Sequence, residues 1–188
     1  MPESRPSFIA VICHPHPLFQ GNMHNKVVTT LAKTFQSQQY ASLRFNFRGV
    51  GQSAGTHAFG MGEVEDVLAI FNYVATTYPN SKIIIAGFSF GGAMAIKAAS
   101  EYPVANVIAV APAVRYLSHE HQLYQSPWAI VHGTADDVIP YSDMMEFYKH
   151  CSLKPDLLIV EGASHFFHGR LIELKDRITQ YIHHAIIT

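Results

Sequence analysis

Short apolar runs rich in β-branched residues alternate along the chain with longer stretches in which apolar residues recur every three to four positions. The short runs are hydrophobic at nearly every position, which is typical of strands buried on both faces of a parallel sheet. The pattern predicts six strands, at residues 8–13, 40–47, 82–88, 106–111, 128–133 and 156–162. The stretches between and after them predict helices near residues 24–37, 63–77, 91–101, 141–151 and 169–186. The last helix shows the clearest period, with one apolar face formed by Leu171, Leu174, Ile178 and Ile182.

This repeated β-α order predicts an α/β fold in which a mostly parallel sheet of about six core strands carries helices on both faces. No internal repeat and no linker rich in Pro, Gly or Ser divides the chain, so we expect a single domain over residues 1–188. The stretch at 112–127, after the fourth strand, is too short for a substantial lid. Functional sites in such sheets lie beyond the carboxyl ends of the strands. The polar and glycine-containing stretches found there are therefore expected to converge.

Composition narrows the possible partners. The chain has 188 residues, of which 48% are hydrophobic, and a net charge of -1, which gives no electrostatic basis for binding nucleic acid or an anionic membrane surface. Its longest apolar runs are far shorter than a membrane span, and its first residues show no cleavable signal pattern. Two cysteines, Cys13 and Cys151, do not form a disulfide framework. We therefore expect a cytoplasmic protein without membrane or nucleic-acid partners.

The chain has twelve histidines, and "CHPHP" and "SHEHQ" each contain an H-x-H pair. No Cys or carboxylate falls at ligand spacing beside these pairs, so we expect neither a metal nor another cofactor. Acidic residues cluster at the start of the second helix, in "GEVEDVLAIF", where the helix dipole favours negative charge.

One serine has an unusual setting. The stretch "AGFSFGGAMA" at 86–95 places Ser89 between a predicted strand and a predicted helix, with Gly87 and Gly91 on either side. A nucleophile on a sharp strand-to-helix turn needs strained backbone angles and small neighbours, which the G-x-S-x-G pattern supplies. The helix that follows directs backbone N–H groups toward developing negative charge. The pattern indicates a nucleophile; the alternative is a glycine-rich turn with a capping serine.

A serine attacks only after a base removes its proton, and a histidine oriented by a carboxylate is the usual base. Asp136 and Asp137 follow the fifth predicted strand, and His165 and His168 follow the sixth. Asp137 could instead be a capping or loop residue, and His168 could be a residue at the start of the last helix. The residues by themselves leave both pairs open.

Four stretches in chain order, "HPHPLFQGNMHNKVV", "LRFNFRGVGQSAG", "GFSFGG" and "SHFFHGRL", resemble those of small, lidless α/β-hydrolases of a compact bacterial group. The resemblance covers nearly the whole chain and implies the α/β-hydrolase fold, with the order Ser, Asp, His. Proteins of this group are carboxylesterase-like or dienelactone-hydrolase-like. The family pattern H-G-x-x-D falls on Asp136, and the final motif falls on His165. The resemblance therefore implies a triad of Ser89, His165 and Asp136.

The resemblance also implies where an oxyanion would bind. One donor is the backbone N–H of Phe90, the residue after the nucleophile, and the other comes from the loop after the first strand. Prolines in that loop have no N–H, and His16 lies at the matching position, so we assign its backbone N–H. We expect His132 to brace the loop that carries Asp136.

The chain departs from the full family pattern in having six predicted strands, whereas the full fold has eight. A sheet trimmed in this way has an exposed edge near "LRFNF", which we expect the N-terminal residues or a partner chain to cover, so a homodimer is possible. In the loop after that strand, Asn46 and Arg48 are expected to hold neighbouring loops by hydrogen bonds.

These observations predict a serine hydrolase that cleaves small soluble carboxylic esters through an acyl-enzyme. A thioesterase or another acyl hydrolase would use the same triad, and a hydrolase-shaped binding protein without turnover is the alternative outside enzymes. A dinucleotide-binding domain fits poorly, because "RGVGQSAG" is one residue longer than the usual fingerprint and no helix is predicted directly after it.

Overall fold

The computed structural model describes residues 6–118 and 126–186. It contains six strands: β1 (Phe8–Cys13), β2 (Ala41–Arg44), β3 (Lys82–Phe88), β4 (Asn106–Val110), β5 (Trp128–Gly133) and β6 (Asp156–Val160). Five helices connect or follow them: α1 (Lys26–Ser37), α2 (Gly62–Thr77), α3 (Phe90–Glu101), α4 (Tyr141–His150) and α5 (Leu171–Ala185). Single 3-10 turns occur at Pro17–Phe19 and Val114–Tyr116. The "SHEHQ" pair of histidines lies outside the described residues.

The strands form one sheet in the order β2-β1-β3-β4-β5-β6, and every neighbouring pair is parallel. All six predicted strands and all five predicted helices are therefore confirmed, along with the α/β architecture. Because the strands are parallel, their carboxyl ends meet at one edge of the sheet. That edge carries the four stretches on which the family resemblance rests.

The second strand is shorter than predicted, ending at Arg44 where the prediction ended at residue 47. Beyond Arg44 the backbone bonds to side chains outside the sheet. The Phe47 N–H donates to His14 Nε2 at 3.0 Å, and the Asn46 carbonyl accepts a hydrogen bond from Ser53 Oγ at 2.8 Å. The apolar residues after Arg44 thus belong to the loop.

Two apolar layers enclose the sheet. Helices α2, α3 and α4 bury Phe71, Met94 and Met144 against one face. Helices α1 and α5 cover the other face, where Leu174, Ile178 and Ile182 are fully buried and Leu171 is partly buried. The predicted apolar face of the last helix is confirmed, as are helices on both faces of the sheet.

Strand β2 lies at one edge of the sheet and pairs with β1. The described residues closest to the N-terminus lie elsewhere, because the Ser7 carbonyl accepts the N–H of Lys82 at the start of β3. Cover of the β2 edge by a partner chain stays a prediction. Among the described residues, none of the helices is long and apolar enough to cross a membrane.

Candidate active site

Ser89 occupies the sharp turn between β3 and α3. Its backbone has φ 55° and ψ −117°, a conformation that costs a residue with a side chain free energy and is typical of functional turns. The neighbouring strand β4 and the loop after it hold this conformation. The Ser89 N–H donates to the Val110 carbonyl at 2.9 Å, and the Ser89 carbonyl accepts the Ala113 N–H at 3.0 Å. The serine side chain makes no capping bond to α3 and is free for other use.

The two glycines of the G-x-S-x-G pattern are required by close backbone approaches. A Cβ on Gly87 would lie 2.1 Å from the Gly91 carbonyl oxygen, and a Cβ on Gly91 would lie 2.4 Å from the carbonyl oxygen of His14. Both distances are far below van der Waals contact. The pattern therefore brings the start of α3 directly against the end of β1, as well as leaving room for the turn.

The structure brings Ser89, His165 and Asp136 together in one chain of hydrogen bonds. His165 Nε2 lies 3.0 Å from Ser89 Oγ, and His165 Nδ1 lies 2.8 Å from Asp136 Oδ2. Because a carboxylate only accepts, Nδ1 carries the proton and Nε2 is the acceptor for the serine hydroxyl. All three residues are buried, with Ser89 8% exposed and His165 2% exposed.

The Asp136 carboxylate is held in its ionised form by the loop around it. Burial by itself would raise its pKa, but hydrogen bonds from His165, Ile139 and Val138 outweigh burial, and the net pKa lies below the usual carboxyl value. Asp136 Oδ1 accepts the backbone N–H groups of Val138 at 2.9 Å and Ile139 at 2.7 Å. His132, fully buried, donates from Nε2 to the Ile139 carbonyl at 3.0 Å, and it braces this loop as expected.

Asp137 and His168, the alternative candidates for the acid and the base, lie outside this chain of hydrogen bonds. Asp137 is exposed, whereas its neighbour Asp136 faces His165. His168 is also exposed, and its ring stacks on Phe166 at a centroid distance of 5.8 Å. The local sequence did not separate these pairs, and the geometry places only Asp136 and His165 in contact with each other.

The two residues assigned as oxyanion donors are neighbours. Phe90 is the first residue of α3, where a backbone N–H has no partner within the helix. His16 lies at the turn after β1, and its ring centroid is 4.9 Å from that of Phe90. The approach of Gly91 to the end of β1 produces this proximity. Both backbone N–H groups thus come from segments packed against the serine turn.

The side chain of His16 is occupied within the protein. Its Nδ1 accepts the Leu18 N–H at 3.2 Å, so Nε2 carries the proton and donates to the Tyr116 hydroxyl at 2.8 Å. Burial lowers the pKa of His16, and the nearby His57 and Arg115 lower it further. The imidazole is therefore neutral, and its hydrogen bonds link the loop after β1 to the loop after β4.

Aromatic rings flank the serine on both sides. Phe88 contacts the ring of His165 at 5.0 Å and that of Phe166 at 5.9 Å. Phe90 contacts the rings of His57 at 5.7 Å and Tyr116 at 5.1 Å. The outermost rings are open to solvent, with exposed fractions of 76% for Phe19, 73% for Phe59 and 44% for Phe166. The rings around the serine are thus apolar, and the outermost of them are open to solvent.

In the loop after β2, Asn46 binds a neighbouring loop as expected, whereas Arg48 binds helix α2. Asn46 Oδ1 accepts the Met23 N–H at 2.9 Å, and the Arg48 guanidinium pairs with Asp66 at 2.8 Å. The glycine-containing segment 49–55 forms turns, and the next helix starts only at Gly62. A dinucleotide site would need a helix directly after the glycines. Within the described ranges, no group of three or more His, Cys, Asp or Glu could hold a metal ion.

Three residues near the oxyanion candidates were missed by sequence reasoning. Glu63 belongs to the acidic cluster that the helix dipole favours at the start of α2, yet it is fully buried and binds the loop before that helix. His57 lies beside it, and Tyr116 reaches the site from the loop after β4. No local signal connects Tyr116 or His57 with His16, because these contacts span 100 and 41 positions of the chain.

Comparisons with known proteins agree on the family. The family model described as serine aminopeptidase, S33 matches residues 19–121, which include Ser89 but end before Asp136 and His165. An uncharacterized protein of Rickettsia prowazekii is 34% identical over 185 residues, covering 93% of this chain and 78% of the relative. Human alpha/beta hydrolase domain-containing protein 17C is 27% identical over 162 residues, and the chain spans about half of its length.

Solved structures give the same result for the fold. An alpha-beta serine hydrolase homologue from Coxiella burnetii superposes with a TM-score of 0.91 at 43% identity, covering 96% of this chain and 88% of that one. A serine hydrolase without lid from Xanthomonas campestris superposes with a TM-score of 0.90 at 31% identity, covering 98% and 85%. Est1E from Butyrivibrio proteoclasticus, solved with ferulic acid bound, shares the fold with a TM-score of 0.87 at 20% identity, covering 100% and 94%.

Proposed function

This chain belongs to the S33 family of α/β serine hydrolases, and we propose that it is a carboxylesterase-like enzyme acting on small esters through Ser89, His165 and Asp136. The observation that carries the proposal is the continuous hydrogen-bonded chain from Ser89 Oγ through the imidazole of His165 to Asp136. A serine that only capped a helix would need no buried histidine, and this serine makes no capping bond.

The proposed reaction proceeds in two halves. Ser89 Oγ attacks the ester carbonyl carbon while its proton passes to His165 Nε2, and the Phe90 and His16 N–H groups bind the oxyanion. Collapse of the tetrahedral intermediate breaks the bond to the alcohol, which leaves with the proton from His165. Water then loses a proton to His165 and attacks the acyl-enzyme, and a second collapse releases the carboxylic acid and restores Ser89. Asp136 stabilises the imidazolium that forms in each half.

Small esters fit the surroundings of Ser89 best. The exposed rings of Phe19, Phe59 and Phe166 offer apolar contact but no deep enclosure. A short or flat acyl group can bury most of its apolar surface against these rings, whereas a long acyl chain would remain largely in water. The aromatic acid bound by the fold relative Est1E is compatible with such a surface. We therefore propose that small soluble esters, including aryl esters, are better substrates than lipids.

The proposal also covers the compartment, the oligomeric state and the partners of the enzyme. Both cysteines are free and buried, which fits the cytoplasm as the compartment of action. We further propose a homodimer through the β2 edge, which light scattering of the purified protein tests directly. The only partner that the chemistry requires is the ester.

The test compares wild type with Ser89→Ala, using Ser142→Ala as a matched surface control. Each protein is given p-nitrophenyl acetate and butyrate, a thioester, and an aminoacyl anilide of the kind that the family description suggests, and is labelled with a fluorophosphonate. We expect ester turnover and labelling in wild type and Ser142→Ala, and neither in Ser89→Ala. If the thioester or the anilide turned over faster than the esters, the substrate class would be thioesters or amides instead of esters. A wild type that neither reacts nor is labelled would support a binding protein instead.

A further inference from the structure

Behind the candidate oxyanion loop lies a buried carboxylate. Glu63 is fully buried at the start of α2, where its Oε1 accepts the Ala58 N–H at 2.8 Å and its Oε2 accepts the Gly60 N–H at 2.7 Å. Burial raises its pKa, but these N–H groups, its own backbone N–H and the nearby His57 outweigh burial, and the net pKa lies below the usual value. Glu63 is therefore an ionised group that fixes the loop 58–60.

His57 is the side chain that faces this carboxylate. Its Nδ1 lies 2.8 Å from Glu63 Oε1, and its side chain is only 7% exposed. The ring nitrogen does not point along a straight hydrogen bond, so the contact is an electrostatic one that orients the ring. In the described part of the chain, the buried Nε2 finds no hydrogen-bond partner. The close contact with Glu63 therefore fixes which way the ring of His57 faces.

The ring of His57 packs on both residues that carry the proposed oxyanion donors. Its centroid is 4.9 Å from that of His16 and 5.7 Å from that of Phe90. Tyr116 completes the cluster from another side, through its hydroxyl at 2.8 Å from His16 Nε2 and its ring at 5.1 Å from Phe90. His16 and Phe90 are thus held between a tyrosine and an imidazole that Glu63 orients.

From this geometry we infer that the Glu63–His57 pair positions the backbone N–H groups of His16 and Phe90 for oxyanion binding. The inference rests on the proposed function, and His57 is a positioning residue because it reaches the reacting atoms only through its neighbours. The pair would act on the transition state and not on the bound ester, since an oxyanion exists only after attack. Loss of the pair is therefore expected to lower kcat and to leave KM nearly unchanged.

The test measures kcat, KM and the inhibition constant of a trifluoromethyl ketone, whose adduct with Ser89 carries an oxyanion. For His57→Ala we expect kcat to fall about tenfold and the inhibition constant to rise by a similar factor, with KM within about twofold. A role confined to folding would lower the melting temperature but would leave these constants of the folded enzyme unchanged. His57→Phe keeps a ring in place but gives Glu63 no N–H to orient, so kcat is expected to stay low.

His168→Ala is the matched control. His168 also stacks on a ring of the site, Phe166, but touches neither oxyanion residue. We expect its kcat and inhibition constant to match wild type, and an equal loss there would overturn the inference. Wild-type kcat in His57→Ala, or full recovery in His57→Phe, would overturn it as well. An inert, unlabelled wild type would instead overturn the proposed function and the inference with it.

Discussion

Adding one methyl group at Gly91 is expected to damage the enzyme more than its size suggests. An ideal Cβ there would lie 2.4 Å from the His14 carbonyl oxygen and 2.5 Å from that of Cys13. These are backbone atoms at the end of β1, which pairs with β2 on one side and β3 on the other, so they cannot turn aside. Ordinary contact begins at 3.4 Å, so β1 and α3 must separate by about 1 Å. Overpacking of this kind costs about 1–3 kcal/mol of stability.

The same shift would separate His16 from Phe90, because one follows β1 and the other begins α3. A displacement of about 1 Å at a catalytic constellation can cost on the order of 100-fold in rate. We expect Gly91→Ala to lose that much in kcat/KM for p-nitrophenyl butyrate, and about 1–3 kcal/mol in the free energy of unfolding measured with urea.

Gly169→Ala is the matched control, because a Cβ there has nothing within 4 Å. Its backbone has φ 71°, so the methyl group strains the turn and costs about 1–2 kcal/mol without moving the site. We expect similar destabilisation with kcat/KM within about twofold of wild type. If Gly91→Ala retained wild-type kcat/KM, the reasoning from the β1–α3 contact would be refuted.

The remaining predictions concern the acid, the substrate and pH. Asp136→Asn should lower kcat by roughly 10³–10⁴ while Asp137→Asn stays near wild type, and the reverse order in steady-state kinetics would exchange their assigned roles. Butyryl esters should turn over faster than palmitoyl esters in a chain-length series, because the exposed rings cannot enclose a long acyl chain; preference for palmitoyl would contradict a shallow site. Burial lowers the pKa of His14 from 6.5 to about 4, against the hydrogen bond to Pro15, which raises it. Between pH 6.5 and 4, His14 is therefore protonated in the unfolded chain and neutral in the folded chain. The free energy of unfolding should fall by about 3 kcal/mol from this group as pH drops from 6.5 to 4. Urea titrations across that range should give a shallower decline for His14→Gln, and an identical decline would contradict the assignment.

Much of the architecture could be predicted because its signals are local. The strands of a buried parallel sheet are hydrophobic at nearly every position, and the runs at 82–88 and 128–133 match β3 and β5 residue for residue. The Ser89 turn was also recognisable, since its glycines are set by backbone approaches that any side chain would block. The end of β2 was misplaced because Phe45 and Phe47 are as apolar as strand residues but pack within a loop.

The parts that could not be predicted depend on contacts between distant segments. Asp136 and Asp137 are adjacent, and only the path of the loop decides which one faces His165. The acid at Glu63 matched a helix-dipole pattern, and nothing nearby in sequence indicates that the loop 58–60 folds over it. The bond between His16 and Tyr116 joins residues 100 positions apart.

The residues on either side of the nucleophile send their side chains into different layers of the core. Phe88 is buried with α1 and α5, while Phe90 is buried with α2, α3 and α4. The base proposed at His165 therefore packs against a ring of one layer, and the oxyanion donor proposed at His16 packs against a ring of the other. Substitutions confined to one layer are therefore expected to alter one of these two proposed roles more than the other.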